Sequence, residues 1–539
     1  MKYGFVIDNR KCIGCHACTT ACKSEHEVPV GVNRTWVKQV EQGTFPDTRR
    51  LFSVMRCNHC TDAPCVTICP TESLFIRKDG IVDFDKDRCI GCKSCMQACP
   101  YDALYIDPDT HTAAKCNYCA HRIDLGLEPA CVNVCPEEAI ISGDMENASS
   151  EIALLLLEQE TKVRKPEAGT QPNLFYIDAE DVSLVATATE PSSQNMWGSQ
   201  VHGVGHFAKE AEKLSFSNTD LVAELVKLNG GFETDKGTVT SPKTVEVLMD
   251  KSKQVYNTPD KGILWGWEVS AYVWTKAIAA GMILVPFLAL ISNYTEVPKF
   301  LWSAGTMTSL VFLTLTGILL VMDLDQPKRF AYVLLRPHWS SWLVKGGYAI
   351  AVFGLLLTVI LIAQYFELLE NFSPLYSITA LVGGLVAVYT AFLFAQAKGR
   401  EFWQSKAMSI HMLIHAFMAG AAIYFFFTLG TQTSEIWMQY LMRLSVVAII
   451  ANLIIIFYEL YSTHDTVDAQ RVVHMIKLGA YKNMFWIATI VIGNIIPLLL
   501  LSLGGLTPII AAIASVCILV GIYFNNHIWV EAPQKIPLS

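Results

Sequence analysis

The chain has 539 residues, 52% of them hydrophobic, with a mean hydropathy of +0.34 and a net charge of −8. The length suits roughly two to four domains, the hydropathy points to a membrane portion, and the charge shows no basic face of the kind a nucleic-acid partner needs. Of 17 cysteines, sixteen lie between Cys12 and Cys135, while Cys517 stands alone in an apolar run as a small packing residue.

The N-terminus reads MKYGFVIDNRKC, with no apolar core segment and no twin arginine. No signal peptide is therefore expected on this chain, and its cysteines are expected to stay reduced or to bind metal. They fall into four groups: Cys12, Cys15, Cys18 and Cys22; Cys57, Cys60, Cys65 and Cys69; Cys89, Cys92, Cys95 and Cys99; and Cys116, Cys119, Cys131 and Cys135. Groups one and three have the C-x-x-C-x-x-C-x-x-x-C run of two-cluster bacterial ferredoxins. In that arrangement three closely spaced thiolates wrap one face of a cubane, and the fourth reaches the neighbouring cluster. Zinc prefers two separated pairs around a tetrahedral ion, which fits three cysteines in seven residues badly.

Cross-ligation needs the groups in pairs: two and three are adjacent, and one and four then form the outer unit. Groups two and three give Cys57, Cys60, Cys65 with Cys99, and Cys89, Cys92, Cys95 with Cys69. Groups one and four give Cys12, Cys15, Cys18 with Cys135, and Cys116, Cys119, Cys131 with Cys22. The expected product is four [4Fe–4S] clusters forming a wire. The flanks repeat as well: KYGFVIDNRKCIGC before group one mirrors GIVDFDKDRCIGC before group three, each a strand leading into a cluster loop. The predicted fold is an α+β, bacterial-ferredoxin-like double module with four cluster sites over residues 1–180.

Residues 181–261 are polar and read as a linker with short helices, one of them over Asn218–Leu228 behind a plausible cap. His202 and His206 stand four apart there, but surrounding glycines favour solvated loop histidines over a helical ligand pair. The composition changes near residue 262, and an all-α polytopic bundle of about eight helices follows over 262–530, with a tail at 531–539. Each segment exceeds the roughly 18 apolar residues needed to cross a bilayer: 263–292, 299–322, 342–366, 375–396, 406–430, 436–461, 483–503 and 506–529.

An even number of spans places the N-terminal domain and the C-terminus on one side. Loops on that side carry Lys328, Arg329, Arg336, Lys345, Lys398, Arg400, Lys406, Arg471, Lys477 and Lys482, against only Lys299 opposite, with Glu296, Glu370 and Glu435. The positive-inside rule puts the cysteine-rich domain on the cytoplasmic side of the inner membrane. Glu268, Tyr389, His411, His415, Asn452 and Glu459 fall in the half of their helices nearest that domain, where polar side chains are costly and mark function. A quinone needs hydrogen-bond partners at both carbonyls and a proton route. The candidate residues are Trp265 and Glu268 on the first span, Tyr389 on the fourth and His411 on the fifth; the bland alternative is helix bridging or an interfacial aromatic belt. Lys276 and Arg443 lie deeper, in a proton path or in structural pairing. Haem is not expected, because His411 and His415 share one helix face and cannot ligate opposite faces of a ring.

Two resemblances follow from these motifs. Residues 1–180, with GDMENASSEIALLLLEQ and KPEAGTQPNLFYID beyond the cysteines, resemble the four-cluster subunit of molybdopterin oxidoreductase complexes of the dimethyl sulfoxide, polysulfide and nitrite-linked types. The stretch VMDLDQPKRFAYVLLRPHWSSWLVKGG, with WGWEVSAYVWTKAIAAG and FWQSKAMSIHMLIHAFMAGAA, resembles the NrfD/PsrC-type membrane anchor over about residues 262–500. The resemblance implies a haem-free, quinone-reactive bundle whose quinone, menaquinone or ubiquinone, sits near the cluster-bearing face between the first and fourth spans. It also implies a catalytic partner, a molybdopterin subunit, facing the outer cluster unit. The chain itself is then an electron-transfer subunit of a respiratory complex without a substrate-converting site of its own. The same module fits a nickel–iron hydrogenase partner, and a bare anchor passing electrons to a soluble carrier is the reading from another class. Several relatives face outward, so a cytoplasmic domain departs from their pattern.

Overall fold

The computed structural model describes residues 1–44, 46–189, 252–292, 297–368, 374–429, 434–464, 466–503 and 507–539. The helix expected at Asn218–Leu228, and His202 and His206, lie outside these residues. The soluble part opens with β1 (Tyr3–Asp8), followed by the long hairpin β2 (Thr35–Thr44) and β3 (Asp47–Arg56). Two short hairpins come next, β4 (Leu74–Ile76) with β5 (Val82–Phe84) and β6 (Leu104–Ile106) with β7 (Ala113–Lys115). Then come β8 (Ile140–Asp144), β9 (Thr161–Lys162), β10 (Leu174–Ile177) and, beyond the undescribed stretch, β11 (Ser252–Tyr256).

The first sheet runs β8-β1-β10-β9, with β1 antiparallel to β8 and parallel to β10. The pleat sends Phe5 and Ile7 toward Tyr118 and the cysteines, and Val6 toward Ile141 and Ile152. Ile152 belongs to the helix Glu151–Glu158, whose first turn is capped by Ser150 Oγ accepting from the Ala153 N–H at 3.3 Å. Within residues 181–261, read as a linker with short helices, Asp181–Leu184 and Ala186–Ala188 are short helical turns, and the second sheet, β11-β2-β3, adds what that reading lacked: Ser252–Tyr256 is an edge strand on β2. Five residues with one buried side chain, Gln254, carry too little alternation to announce a strand.

Among the described residues, eight helices are long and apolar enough to cross a membrane. They run Trp267–Ile291, Lys299–Met322, Trp342–Tyr365, Pro374–Gln396, Met408–Phe427, Glu435–Tyr461, Met484–Leu503 and Pro508–Glu531, and the seventh begins as a π-helix over Met484–Ile495. The first span is the hub, packed against the second, fourth, fifth and eighth. Its backbone meets the fifth span where Gly281 faces Gly420; a Cβ on either would collide with the other helix's main chain. Further from the soluble domain, Tyr424 and Tyr440 hydroxyls donate to the Met282 and Val285 carbonyls at 2.7 Å, tying the fifth and sixth spans to the first.

The soluble domain sits on the loops after spans two, four and six and on the segment after span eight. Arg471 Nη2 donates to the Thr187 carbonyl at 2.6 Å, and Lys165 pairs with Asp468 at 2.8 Å. The C-terminal segment threads the interface. Arg164 Nη2 donates to the Leu538 carbonyl at 2.9 Å, and Asn257 Nδ2 donates to the Ser539 carbonyl at 3.0 Å. Gln97 Nε2 donates to Gln534 Oε1 at 2.6 Å, and that same oxygen accepts from the Leu264 and Trp265 N–H groups at 3.0 Å.

Asp323, at the end of the second span, lies under this interface. Burial pushes its carboxyl up to about 7; Lys93 opposes the shift, and Glu268 and Asp325 add to it. A carboxyl raised on folding stabilises the docked form below its ordinary value of 3.8, and that contribution is lost as pH rises toward about 7. The purified protein should therefore lose thermal stability between pH 4 and pH 7 by a component that Asp323→Asn removes. An unchanged pH profile in Asp323→Asn would show that this carboxyl does not titrate there.

Candidate functional site

The cysteine loops are shaped by left-handed backbone. Gly14 and Gly91 take φ of 70° and 69° between the first and second cysteines of their runs, and His16 and Lys93 take 60° and 58° just before the following helices. These turns curl each loop so that several thiols point inward together. Cys60 and Cys65 feel both Cys57 and Cys99, and Cys92 and Cys95 feel Cys89 and Cys69. Cys22 feels Cys116, Cys119 and Cys131, while Cys12, Cys15, Cys18 and Cys135 line one cavity.

These thiols are poor thiolates by themselves. Burial pushes Cys18, Cys92 and Cys119 up to about 12 and Cys99 to about 11, and Cys65 and Cys95 stand well above the ordinary range. The surroundings nevertheless supply donors to sulfur. The Gly91 and Ala113 N–H groups reach Cys89 Sγ at 3.4 and 3.3 Å, the Ala139 N–H reaches Cys135 Sγ at 3.3 Å, and Arg56 Nη1 reaches Cys131 Sγ at 3.1 Å. Among the described residues no three His, Cys, Asp or Glu side chains converge on a point as a single ion requires. A cubane holds its thiolates at its corners, farther apart, and its iron favours their ionised form, so the donor set fits clusters.

One of these loops is seated on the membrane helices. The turn Asp323–Arg329 cradles Cys89–Cys95: the Gln326 N–H donates to the Ile90 carbonyl at 3.2 Å, and Arg329 Nη1 donates to the Lys86 and Cys89 carbonyls at 2.8 and 3.1 Å. Lys93 pairs with Asp325 at 3.2 Å, and any Cβ on Gly91 would strike Asp325. On the same loop, His338 Nδ1 donates to the Cys69 carbonyl at 2.8 Å and Ser341 Oγ to the Ile68 carbonyl at 2.7 Å. The D-L-D-Q-P-K-R-F and H-W-S-S-W stretch is thus the saddle for the thiols of Cys69, Cys89, Cys92 and Cys95.

Trp265 carries this contact into the bundle. Its indole N–H donates to the Cys92 carbonyl at 3.1 Å, and its ring stacks on Phe394 and Trp403 at 5.8 and 5.5 Å between centroids. Phe394 lines a small cavity with Met408, His411, His415, Asn525 and Trp529. His411 Nδ1 lies 2.9 Å from Glu459 Oε2, with both side chains about 2% exposed or less. Glu459 also accepts from the Trp529 indole at 3.0 Å and from Ser405 Oγ at 3.3 Å. A carboxylate only accepts, so Nδ1 carries the hydrogen and Nε2 faces Asn525 Nδ2 at 3.3 Å as an acceptor. The ring of His415 stands 4.5 Å from that of His411, beside Asn452 and Asn526.

The four candidate residues are therefore spread over three places. His411 lines the small cavity, and Trp265 stacks on Phe394 in that cavity's wall. Tyr389 lies deeper, with the Lys276 ammonium 4.4 Å above its ring and donating to Thr390 Oγ1. Glu268 is half-buried in the first turn of its helix, near Asp323. Arg443 lies on an exposed face of the sixth span. Asn525, Asn526 and Trp529 were not singled out from the sequence, although Asn-Asn-His inside the apolar eighth span was a legible polar signal.

Comparison with known proteins agrees with this division. Residues 11–74 and 48–145 each match a 4Fe–4S dicluster domain, and residues 256–535 match the family described as polysulphide reductase, NrfD. Similar proteins include the B subunit of tetrathionate reductase from Salmonella typhimurium, 45% identical over 184 residues, which are 33% of this chain and 74% of that one. The NrfC homolog of Haemophilus influenzae is 43% identical over 179 residues, 33% of this chain and 80% of that one. The arsenate respiratory reductase iron–sulfur subunit ArrB of a Shewanella species is 35% identical over 225 residues, 33% of this chain and 96% of that one. The chain belongs to the polysulphide reductase NrfD family, and ahead of that membrane anchor it carries an iron–sulfur electron-transfer region related to the iron–sulfur subunits of such reductases.

Proposed function

We propose that this chain moves electrons between a catalytic partner subunit, a molybdopterin enzyme, and quinone in the membrane, through four [4Fe–4S] clusters. The contact from Cys92 through Trp265 to the His411 cavity carries this reading, because it joins the thiol set nearest the membrane to a buried acid–base pair. Sixteen thiolates would hold the clusters: Cys57, Cys60, Cys65 and Cys99; Cys89, Cys92, Cys95 and Cys69; Cys12, Cys15, Cys18 and Cys135; Cys116, Cys119, Cys131 and Cys22. The clusters, when bound, supply one-electron carriers in series. Cys15, in the outer unit, is exposed, and the partner would dock there.

Two-electron quinone chemistry at the other end needs protons as well as electrons. His411 Nε2 is positioned to accept a proton from a quinol hydroxyl or return one to a quinone oxygen, and Glu459 balances the charge on the ring. Trp265 would close the site on the cluster side. Glu268 and Asp323, at the rim, offer carboxyls between this region and water. The soluble domain lies in the cytoplasm, beneath the inner membrane; the cation-rich loops on which it sits support this side.

Three measurements test the proposal. Anaerobically purified protein should hold about sixteen irons per chain, and Cys99→Ser should abolish the signal of the cluster on Cys57, Cys60 and Cys65 while leaving that on Cys89, Cys92 and Cys95. In stopped-flow reduction by a menaquinol analogue, Glu459→Gln should slow cluster reduction by about 10²-fold with dithionite reduction unchanged; equal rates would remove His411–Glu459 from the site. Protease should reach the soluble domain in inverted membrane vesicles and not in right-side-out ones, and the reverse result would place it on the outer face.

A further inference from the structure

Two buried cations lie at the meeting of the inner and outer cysteine units. Arg56 ends β3 immediately before Cys57, and Lys115 ends β7 immediately before Cys116. Both are 0% exposed. The Arg56 guanidinium donates from Nη1 to Cys131 Sγ at 3.1 Å and lies 4.5 Å over the Phe5 ring, while its Nε and Nη2 find no acceptor. The Lys115 ammonium donates to the Val82 carbonyl and, at 2.9 Å, to the Cys116 carbonyl. Among the described residues neither cation has a carboxylate partner.

An isolated buried charge is strongly unfavourable, so a fold that keeps two of them must hold a negative counterpart nearby. Among the described residues the candidates at this place are sulfur. Arg56 acts on Cys18, Cys116 and Cys131, and Lys115 on Cys65 and Cys116; Cys116 also feels Cys57. The second and fourth cysteine groups therefore adjoin, with one cation contributed from each side. His59, between Cys57 and Cys60, is wedged against both cations, and its Nδ1 accepts from the Val82 N–H at 3.2 Å as a neutral ring does.

We infer that Arg56 and Lys115 are a pseudo-symmetric pair of positioning residues that set the potentials of the two clusters facing each other across the junction, on Cys57, Cys60, Cys65, Cys99 and on Cys116, Cys119, Cys131, Cys22. Adding an electron to a cluster adds one negative charge, and a fixed cation in a low-dielectric surrounding favours the state with more negative charge. Both middle clusters are held at higher potential than their thiolate sets alone would give. The step between the two units is thereby kept from being uphill in either direction.

This inference rests on the four-cluster reading, which iron content tests separately: an unsubstituted protein with far fewer than about sixteen irons would remove that reading first. With iron complete, redox titration followed by electron paramagnetic resonance on the full complex in membranes decides the point. Lys115→Gln should move the midpoint potentials of the clusters on Cys57, Cys60, Cys65, Cys99 and on Cys116, Cys119, Cys131, Cys22 to more negative values; Arg56→Gln should move the second of these and, through Cys18, that on Cys12, Cys15, Cys18, Cys135. The cluster on Cys89, Cys92, Cys95, Cys69 should stay in place in both, and Arg56→Lys should stay close to the unsubstituted protein. Four unmoved potentials in the glutamine variants would overturn the inference. So would an equal shift in Arg56→Lys and Arg56→Gln, or loss of clusters from every variant, including the charge-preserving Arg56→Lys and Lys115→Arg; these would mark the side chains as structural.

Discussion

The seat of the Cys89–Cys95 loop on the turn Asp323–Arg329 is the contact on which the rest of the molecule depends. Gly91 allows the two backbones to meet, because a side chain there would strike Asp325, and its φ of 69° is one that glycine adopts without strain. Electron transfer weakens steeply with separation, so a soluble redox domain serves a membrane site only when docked this closely. The other contacts preserve that approach. Arg329 and His338 grip main-chain carbonyls of the thiol-bearing loops, whose positions do not vary with rotamer. Carbonyl acceptors suit the purpose well, since each bond fixes backbone and therefore fixes sulfur.

Several basic residues consequently have a second task. Arg329, Arg400 and Arg471 belong to the cation-rich side of the bundle, yet each donates to carbonyls of the soluble domain or of the C-terminal segment. The positive charge of these loops is thus used in docking. In this chain the stretch Asp323–Trp342 is a socket for the Cys89–Cys95 loop and the Cys69 turn.

The family, the class of fold and the eight spans were legible because each rests on a periodic or spaced signal that local physics enforces: thiols three apart on tight loops, and apolar runs as long as a bilayer is thick. Ser252–Tyr256 was not, since an edge strand takes its structure from β2 rather than from its own five residues. His411 stood out as a polar residue in an apolar span, but its partners Glu459, Asn525 and Trp529 come from two other helices and only packing reveals them. Arg56 and Lys115 were missed for a related reason: a cation before a cysteine looks like any surface charge until burial shows that its partner must be the sulfur.

Joining both functions in one chain changes what the interface must do. Separate subunits spend binding free energy on lost translation and rotation, whereas a linked pair meets at high effective concentration and needs only correct geometry. The contacts here match that lesser demand. Gln534, for example, receives from Gln97 and from the Leu264 and Trp265 backbone while donating to the Trp265 carbonyl at 2.8 Å, making one amide the meeting point of a cluster helix, the entry to the first span and the exit from the eighth. Arg400 reinforces it through Gln97 Oε1 at 2.9 Å and the Pro533 and Ile536 carbonyls. Such a polar, directional joint is a weak source of affinity and a strong source of register. A covalently linked chain needs register more than affinity, because the order of thiol loop, tryptophan and histidine pair is kept only if the domain lands in one orientation.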